Sequence, residues 1–173
     1  MIDWPTTRRG CTDQTTKGLT MPDLNQPTRE AVVLERTLPV PPELVWPLWT
    51  EPTHFAAWYG PLGATVTVHV MDVRVGGERR VSMTVPTPDG ERVIHFAGVH
   101  LEVEQPRRLF YTEAIVDAEH THPTGSSTEV QVVLEPSGAG TRLTLTHLGI
   151  AAGSPGETGW SMALDKLQQA VLP

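Results

Sequence analysis

The chain is nearly without cysteine, has no long apolar run and is short of cations, and each shortage removes a class of function. Cys11 is its one cysteine in 173 residues, so no internal disulfide forms and a reducing compartment is expected. No apolar stretch approaches the roughly 20 residues a membrane-spanning helix needs, so no membrane partner is expected. The first residues lack the apolar central segment of a signal peptide, which points to a cytoplasmic location. Thirteen Lys and Arg face twenty Asp and Glu, a net charge of −7. In residues 1–30, Arg8, Arg9, Lys17 and Arg29 balance Asp3, Asp13, Asp23 and Glu30, so the remainder carries the whole excess. An acidic domain repels a phosphate backbone, and no nucleic-acid partner is expected. Arg79-Arg80 and Arg107-Arg108 are the adjacent basic pairs beyond residue 30, and they read as solvated strand ends. Ser or Cys nucleophile motifs, phosphate-cradling glycine loops and dinucleotide fingerprints are lacking too. His120-Thr121-His122 lies in a polar loop with no third ligand nearby in sequence. Neither a metal nor any other cofactor is expected.

What is present is a clear order of elements. Residues 1–30 have no sustained periodicity and are rich in Thr, Pro, Asp and Gln, the composition of a disordered leader. Met21 stands just before the pattern begins, so the first twenty residues have the position of a start-site extension. Residues 31–173 then read as one domain. Ala31–Val40 alternates as a strand. Pro42 opens a short helix through Trp46 and Trp49, in which Pro47 is expected to force a kink or an end. Glu51-Pro52 restarts a second short helix with Phe55 and Trp58, closed by Gly60-Pro61.

From Ala64 the period is two. Strands are expected at residues 65–70, 78–85, 91–103, 109–116, 128–134 and 141–147, separated by Gly- and Pro-bearing turns. The chain closes on Ser154–Leu172, where Trp160, Leu164, Leu167 and Val171 recur at steps of four, three and four. That is one apolar face of an amphipathic helix, begun by Ser154 as cap, Pro155 at the first position and Glu157 completing a capping box, with a start nearer Thr158 as the alternative because Gly156 and Gly159 weaken the first two turns. Its apolar partner has to be the sheet.

At this point the residues resemble a known family. Trp58-Tyr59-Gly60-Pro61 is similar to a W-W-G-P motif, preceded by Trp49-Thr50-Glu51-Pro52. Asp72-Val73-Arg74-Val75-Gly76-Gly77 resembles a D-x-R-x-G-G turn. Pro88-Asp89-Gly90, Gly98–Val103, Pro106 with Arg108-Leu109 and Tyr111-Thr112, Thr141–His147, and Gly159-Trp160 with Leu164–Leu167 follow in the family's order. The family is the SRPBCC, START-like group, in the branch named after the activator of the heat shock protein 90 ATPase. Over residues 31–172 the resemblance implies an α+β helix-grip fold. In that fold a curved antiparallel β-sheet holds a long C-terminal helix, with two short helices after the first strand and a cavity between sheet and helix. Pro47 and Tyr59 depart from the family pattern near the expected cavity mouth. Members of the group resemble chaperone cofactors, lipid or hormone carriers and polyketide cyclases, and fold alone does not fix function.

Two functions follow as expectations. The first is binding of a hydrophobic small molecule in the cavity, with cyclase-like or hydrolase-like activity as an extension. The second is a protein-interaction module acting on a chaperone ATPase, with the chaperone as partner. If the odd positions of residues 91–103, the odd set Leu109, Tyr111, Glu113 and Ile115 (with which Phe110, Ala114 and Val116 compete), and Leu143, Leu145 and His147 face inward, then His95, Tyr111, Glu113 and His147 reach the interior. A His with a carboxylate has the chemistry of a general base, and Tyr111 that of a carbonyl-oxygen donor. The competing reading is that these groups only satisfy hydrogen bonds at sheet ends. Trp58, Tyr59 and Trp160 complete the expected cavity set, and core packing is the competing reading for those rings.

Overall fold

A computed structural model describes residues 30–172. The expected leader therefore lies, apart from Glu30, outside the described residues. The elements run β1 (Ala31–Leu38), α1 (Pro42–Thr50), α2 (Pro52–Trp58), β2 (Thr65–Met71), β3 (Glu78–Thr87), β4 (Gly90–Glu104), β5 (Arg108–Val116), β6 (Thr128–Ser137), β7 (Gly140–Leu148) and α3 (Pro155–Ala170). All strand pairs are antiparallel, in the order β1-β7-β6-β5-β4-β3-β2. This is the α+β helix-grip arrangement, a curved sheet with α3 packed against its concave face.

Local chemistry accounts for the elements that frame the cavity. The Ser154 side chain accepts from the Glu157 amide, and Pro155 occupies the first turn of α3. The carboxylate of Glu157 reaches back to the Gly153 amide, one residue before the cap, while the Ser154 amide bonds to the Ala151 carbonyl. Trp160, Ala163, Leu164 and Leu167 form the buried stripe of the helix. Arg36 on β1 pairs with Asp165 at 2.8 Å, and Gln168 Nε2 donates to the Thr37 carbonyl, pinning the C-terminal half of α3 over β1.

Pro47 does not end its helix: α1 continues to Thr50. Only one helical hydrogen bond is lost to the ring. The Glu51 amide closes the last turn on the Pro47 carbonyl, and the Thr50 hydroxyl donates to the Trp46 carbonyl. Extended Glu51 then breaks the path, and Pro52 begins α2. At Gly98 the backbone of β4 runs close to that of β5. A Cβ there would lie 1.8 Å from the Thr112 carbonyl oxygen, so no other residue fits without moving a strand.

Strand β4 corrects the expected facing. Its even positions Arg92, Ile94 and Phe96 look onto the cavity, and the odd ones look out. A bulge between His100 and Glu102 then reverses the parity, which returns Val103 to the core. The sequence misleads here because the outer face carries Val93, Val99 and Leu101, exposed by 50%, 37% and 41%. The inner face meanwhile includes Arg92, Gly98 and His100.

Candidate functional site

A cavity of about 540 Å³ opens between the sheet and the N-terminal half of α3. Met83, Val85, Ile94, Phe96, Ile115, Ile150 and Ala163 give it apolar walls, and Gly156 and Gly159 of α3 leave room along one side. Tyr59, Glu113, His147 and Trp160 also line it. The extended backbone after α2 delivers Tyr59, β5 delivers Glu113, β7 His147 and α3 Trp160. A curved sheet leaves space under the helix wherever the side chains are too short to fill it, and here two α3 glycines enlarge that space.

The polar floor is a connected network. Glu113 is only 5% exposed, and its Oε2 accepts from Arg79 Nη1 at 2.8 Å and from the Tyr59 hydroxyl at 3.0 Å. Arg79 is buried, contrary to the solvated reading of the Arg79-Arg80 pair; Arg80 is the half-exposed one and pairs with Glu78. The Arg79 guanidinium lies 5.0 Å from the centre of the Phe55 ring, 5.3 Å from Tyr59 and 4.7 Å from Tyr111. Three ring faces and one carboxylate thus hold a charge that burial alone would reject. Burial, and then Glu113, push the Tyr59 hydroxyl well above its ordinary pKa, so it stays a donor.

His147 is fixed by elimination. The indole Nε1 of Trp160 can only donate, and it lies 2.7 Å from His147 Nδ1, which must therefore carry the lone pair. The proton sits on Nε2 and is donated to Thr128 Oγ1 at 2.7 Å; the Thr128 hydroxyl donates in turn to the Glu113 carbonyl. Burial holds the imidazole below its ordinary pKa. With both nitrogens engaged, His147 is a neutral link in this arrangement rather than a free base.

Three of the expected cavity residues lie elsewhere. Trp58 is 1% exposed, donates to the Leu48 carbonyl at 2.7 Å and packs among Trp49, Phe55 and Tyr59, so its ring is core. Tyr111 is buried behind the cavity wall beside Arg79 and His100, its hydroxyl unpartnered and its pKa raised, chiefly by burial. It has no access to a carbonyl oxygen in the cavity. His95 looks outward because of the β4 parity. Its Nδ1 lies 2.8 Å from Ser82 Oγ, which also meets His69 Nε2 at 2.7 Å.

The β5–β6 loop adds His120 to that outer cluster, in the left-handed region at φ 56°. His122 turns the other way, to Asp117. Among the described residues no group of His, Cys, Asp or Glu has the arrangement to hold a metal ion. No helix there is long and apolar enough to cross a membrane. Sequence reasoning missed Arg79 and the serine-centred cluster. The alternation of strand 78–85, with Val81 and Val85 on the face of Arg79, held the signal for Arg79.

The family model for activator of Hsp90 ATPase homolog 1-like proteins matches residues 39–171. No curated protein sequence matches the chain. Among solved structures, a protein from Chromobacterium violaceum is similar with a TM-score of 0.71 and 28% identity, over 83% of this chain and 99% of that one. A protein from Nitrosomonas europaea matches with a TM-score of 0.66 and 29% identity, over 82% and 94%. The AHSA1 protein from Silicibacter pomeroyi, at 24% identity and a TM-score of 0.66 over 81% and 96%, shares the fold. With that match over most of its length, a sheet that grips α3 and the ordered motifs in place, the chain belongs to the activator of Hsp90 ATPase homolog 1-like family of the SRPBCC superfamily.

Proposed function

We propose that the domain binds a small hydrophobic molecule between its sheet and α3, with Tyr59, Glu113, His147 and Trp160 lining the site. The observation that carries this reading is the cavity itself: about 540 Å³, apolar in its walls, with one cluster of polar groups at its floor. A domain selected only for stability would fill such a space, because side chains facing a void lose their packing contacts. Cyclase-like or hydrolase-like turnover has no support in the geometry, since His147 is engaged on both nitrogens and Tyr111 is walled off. The rings of Tyr59 and Trp160 stand edge to face at 5.5 Å, a surface suited to flat or aromatic ligands.

The test uses a blocking side chain. Gly159 lines the cavity, and a Cβ there would meet no atom within 4 Å. Gly159→Phe is expected to abolish uptake of apolar compounds in native mass spectrometry while the melting temperature holds or rises. Equal uptake by wild type and Gly159→Phe would remove this reading. A second reading, an interaction module on a chaperone ATPase, draws on the family's name and on the exposed Val93, Val99 and Leu101 of β4. It gains ground if apolar compounds leave the wild-type protein unchanged and substitutions on that strip abolish chaperone binding.

A further inference from the structure

The floor of the cavity is uneven in its hydrogen-bonding capacity, and the imbalance specifies the chemistry of an occupant. The side-chain donors that line it there are already committed. The Tyr59 hydroxyl donates to Glu113 Oε2, Trp160 Nε1–H to His147, His147 Nε2–H to Thr128, and the Thr128 hydroxyl to the Glu113 carbonyl. The Arg79 Nη1 that reaches Glu113 is on Oε2 as well. Among the described residues Glu113 Oε1 accepts no hydrogen bond, and Glu113 is a buried residue that borders the cavity. Arg79 Nη2 also lacks a partner, but it is fully buried and Arg79 does not line the cavity, so the floor presents an occupant with a free acceptor and no free side-chain donor. Arg92 and Ser126 supply donors only at the exposed mouth.

We propose that the cavity selects apolar molecules carrying a neutral hydroxyl, and that this hydroxyl donates to Glu113 Oε1. The inference rests on the ligand-binding reading above and narrows it to a ligand class. A ketone or ether oxygen reaching the floor meets only an acceptor, and loses its hydration without a new partner. A carboxylate brings acceptors and no donor, and its own charge would be buried without a partner because Arg79 is already paired with Glu113. An ammonium adds a positive charge to a floor where Arg79 and Glu113 already neutralise each other. A hydroxyl supplies the missing donor without disturbing that balance, and a hydrogen bond to an ionised carboxylate is stronger than one between neutral groups.

A matched series on one carbon frame decides the matter, read as dissociation constants by calorimetry at neutral pH. 4-Phenylphenol has a donor, 4-methoxybiphenyl has an oxygen without one, and biphenyl-4-carboxylate has a charge. The expected order is the phenol tightest, the ether weaker by about tenfold or more, and the carboxylate weakest. The volume of the cavity leaves room for the extra methyl group, so size does not set that order. Glu113→Gln adds a reversal. Its amide oxygen can keep Arg79 and Tyr59 while the NH₂ takes the place of Oε1, so the ether is expected to bind at least as well as the phenol. Should that variant fail to fold, the wild-type series alone settles the point. Equal affinity for phenol and ether, or a preference for the carboxylate, overturns the hydroxyl proposal and leaves the cavity reading standing. Binding by none of the three overturns both.

Discussion

The C-terminal turns of α3 lie over β1 and the N-terminal turns over the cavity, and the two halves of one sheet are finished differently. Under the C-terminal turns, Leu164 and Leu167 share a core with Leu38, Val130, Leu134, Leu143 and Leu145, every one of them at most 1% exposed. Under the N-terminal turns the helix presents Gly156, Gly159 and Trp160, and the facing Val85, Ile94 and Phe96 are only partly buried. Burial of aliphatic side chains holds the first half together. The second half leaves apolar surface unpaired around a polar floor. The difference separates what maintains the fold from what is free to serve a ligand, and His147 sits at the boundary with Trp160 bonded to it.

Truncation on the two sides is the strongest way to break that comparison. Leu164→Ala or Leu167→Ala removes side-chain volume from a filled space, and each is expected to lower stability by about 2–5 kcal/mol. Ile94→Ala enlarges a space that is already open, so no new void is created, and about 1 kcal/mol is expected. Chemical denaturation of the three variants measures both values. Equal losses at Ile94 and Leu167 would mean the cavity half is as tightly packed as the other.

The filled half was legible in the sequence, because periodicity reports burial on a face. The steps from Trp160 to Val171, the cap at Ser154 and the alternation of Leu143, Leu145 and His147 each state a local rule that the packing obeys. The open half was less legible, since a cavity weakens the contrast on which periodicity depends. Along β4 the wall carries an arginine and a glycine while the outer face carries valines, so alternation alone selects the wrong set until the bulge is known. Arg79 was misread for a related reason. A buried guanidinium needs a carboxylate and rings from Phe55, Tyr59, Tyr111 and Glu113, partners distant in sequence that only the sheet assembles. His95 shows the limit most plainly: its residue type fits a site, and its parity places it on the outer face.

A pH-dependent term sharpens the boundary between the halves. Burial holds both His147 and His100 below the ordinary histidine pKa in the folded chain. The unfolded chain therefore takes up protons first as pH falls, and stability is lost with it. The contribution is fully present above about pH 6.5, the ordinary value, and declines below it towards the lower folded values. His120 shifts in the same direction, from burial and then from His69 and His95, and adds to the slope. Melting temperatures are expected to decline between about pH 7 and pH 5.5, before carboxylates titrate. His147→Asn, which cannot charge, should flatten part of that decline. A wild-type profile that is level over this range would contradict the neutral Trp160–His147–Thr128 link.

The smallest expected effect is a gain, and it contrasts two glycines within α3. Gly159 is the fifth residue of the helix, and a Cβ there would meet nothing within 4 Å. Alanine is favoured over glycine in a helix interior by about 0.5–1 kcal/mol, because the unfolded glycine has more freedom to lose. With no contact to oppose it, Gly159→Ala is expected to realise that gain. Gly156 lies in the first turn, and a Cβ there would stand 3.3 Å from Ile150 Cδ1. Crowding against Ile150 offsets the entropic benefit, so Gly156→Ala is expected to be neutral or mildly destabilising. Thermal melts of the two variants side by side give the difference directly, with the parent chain as reference. A loss of stability in Gly159→Ala would mean that the space beside α3 is occupied in the folded protein, and the open half would then have to be counted with the filled one.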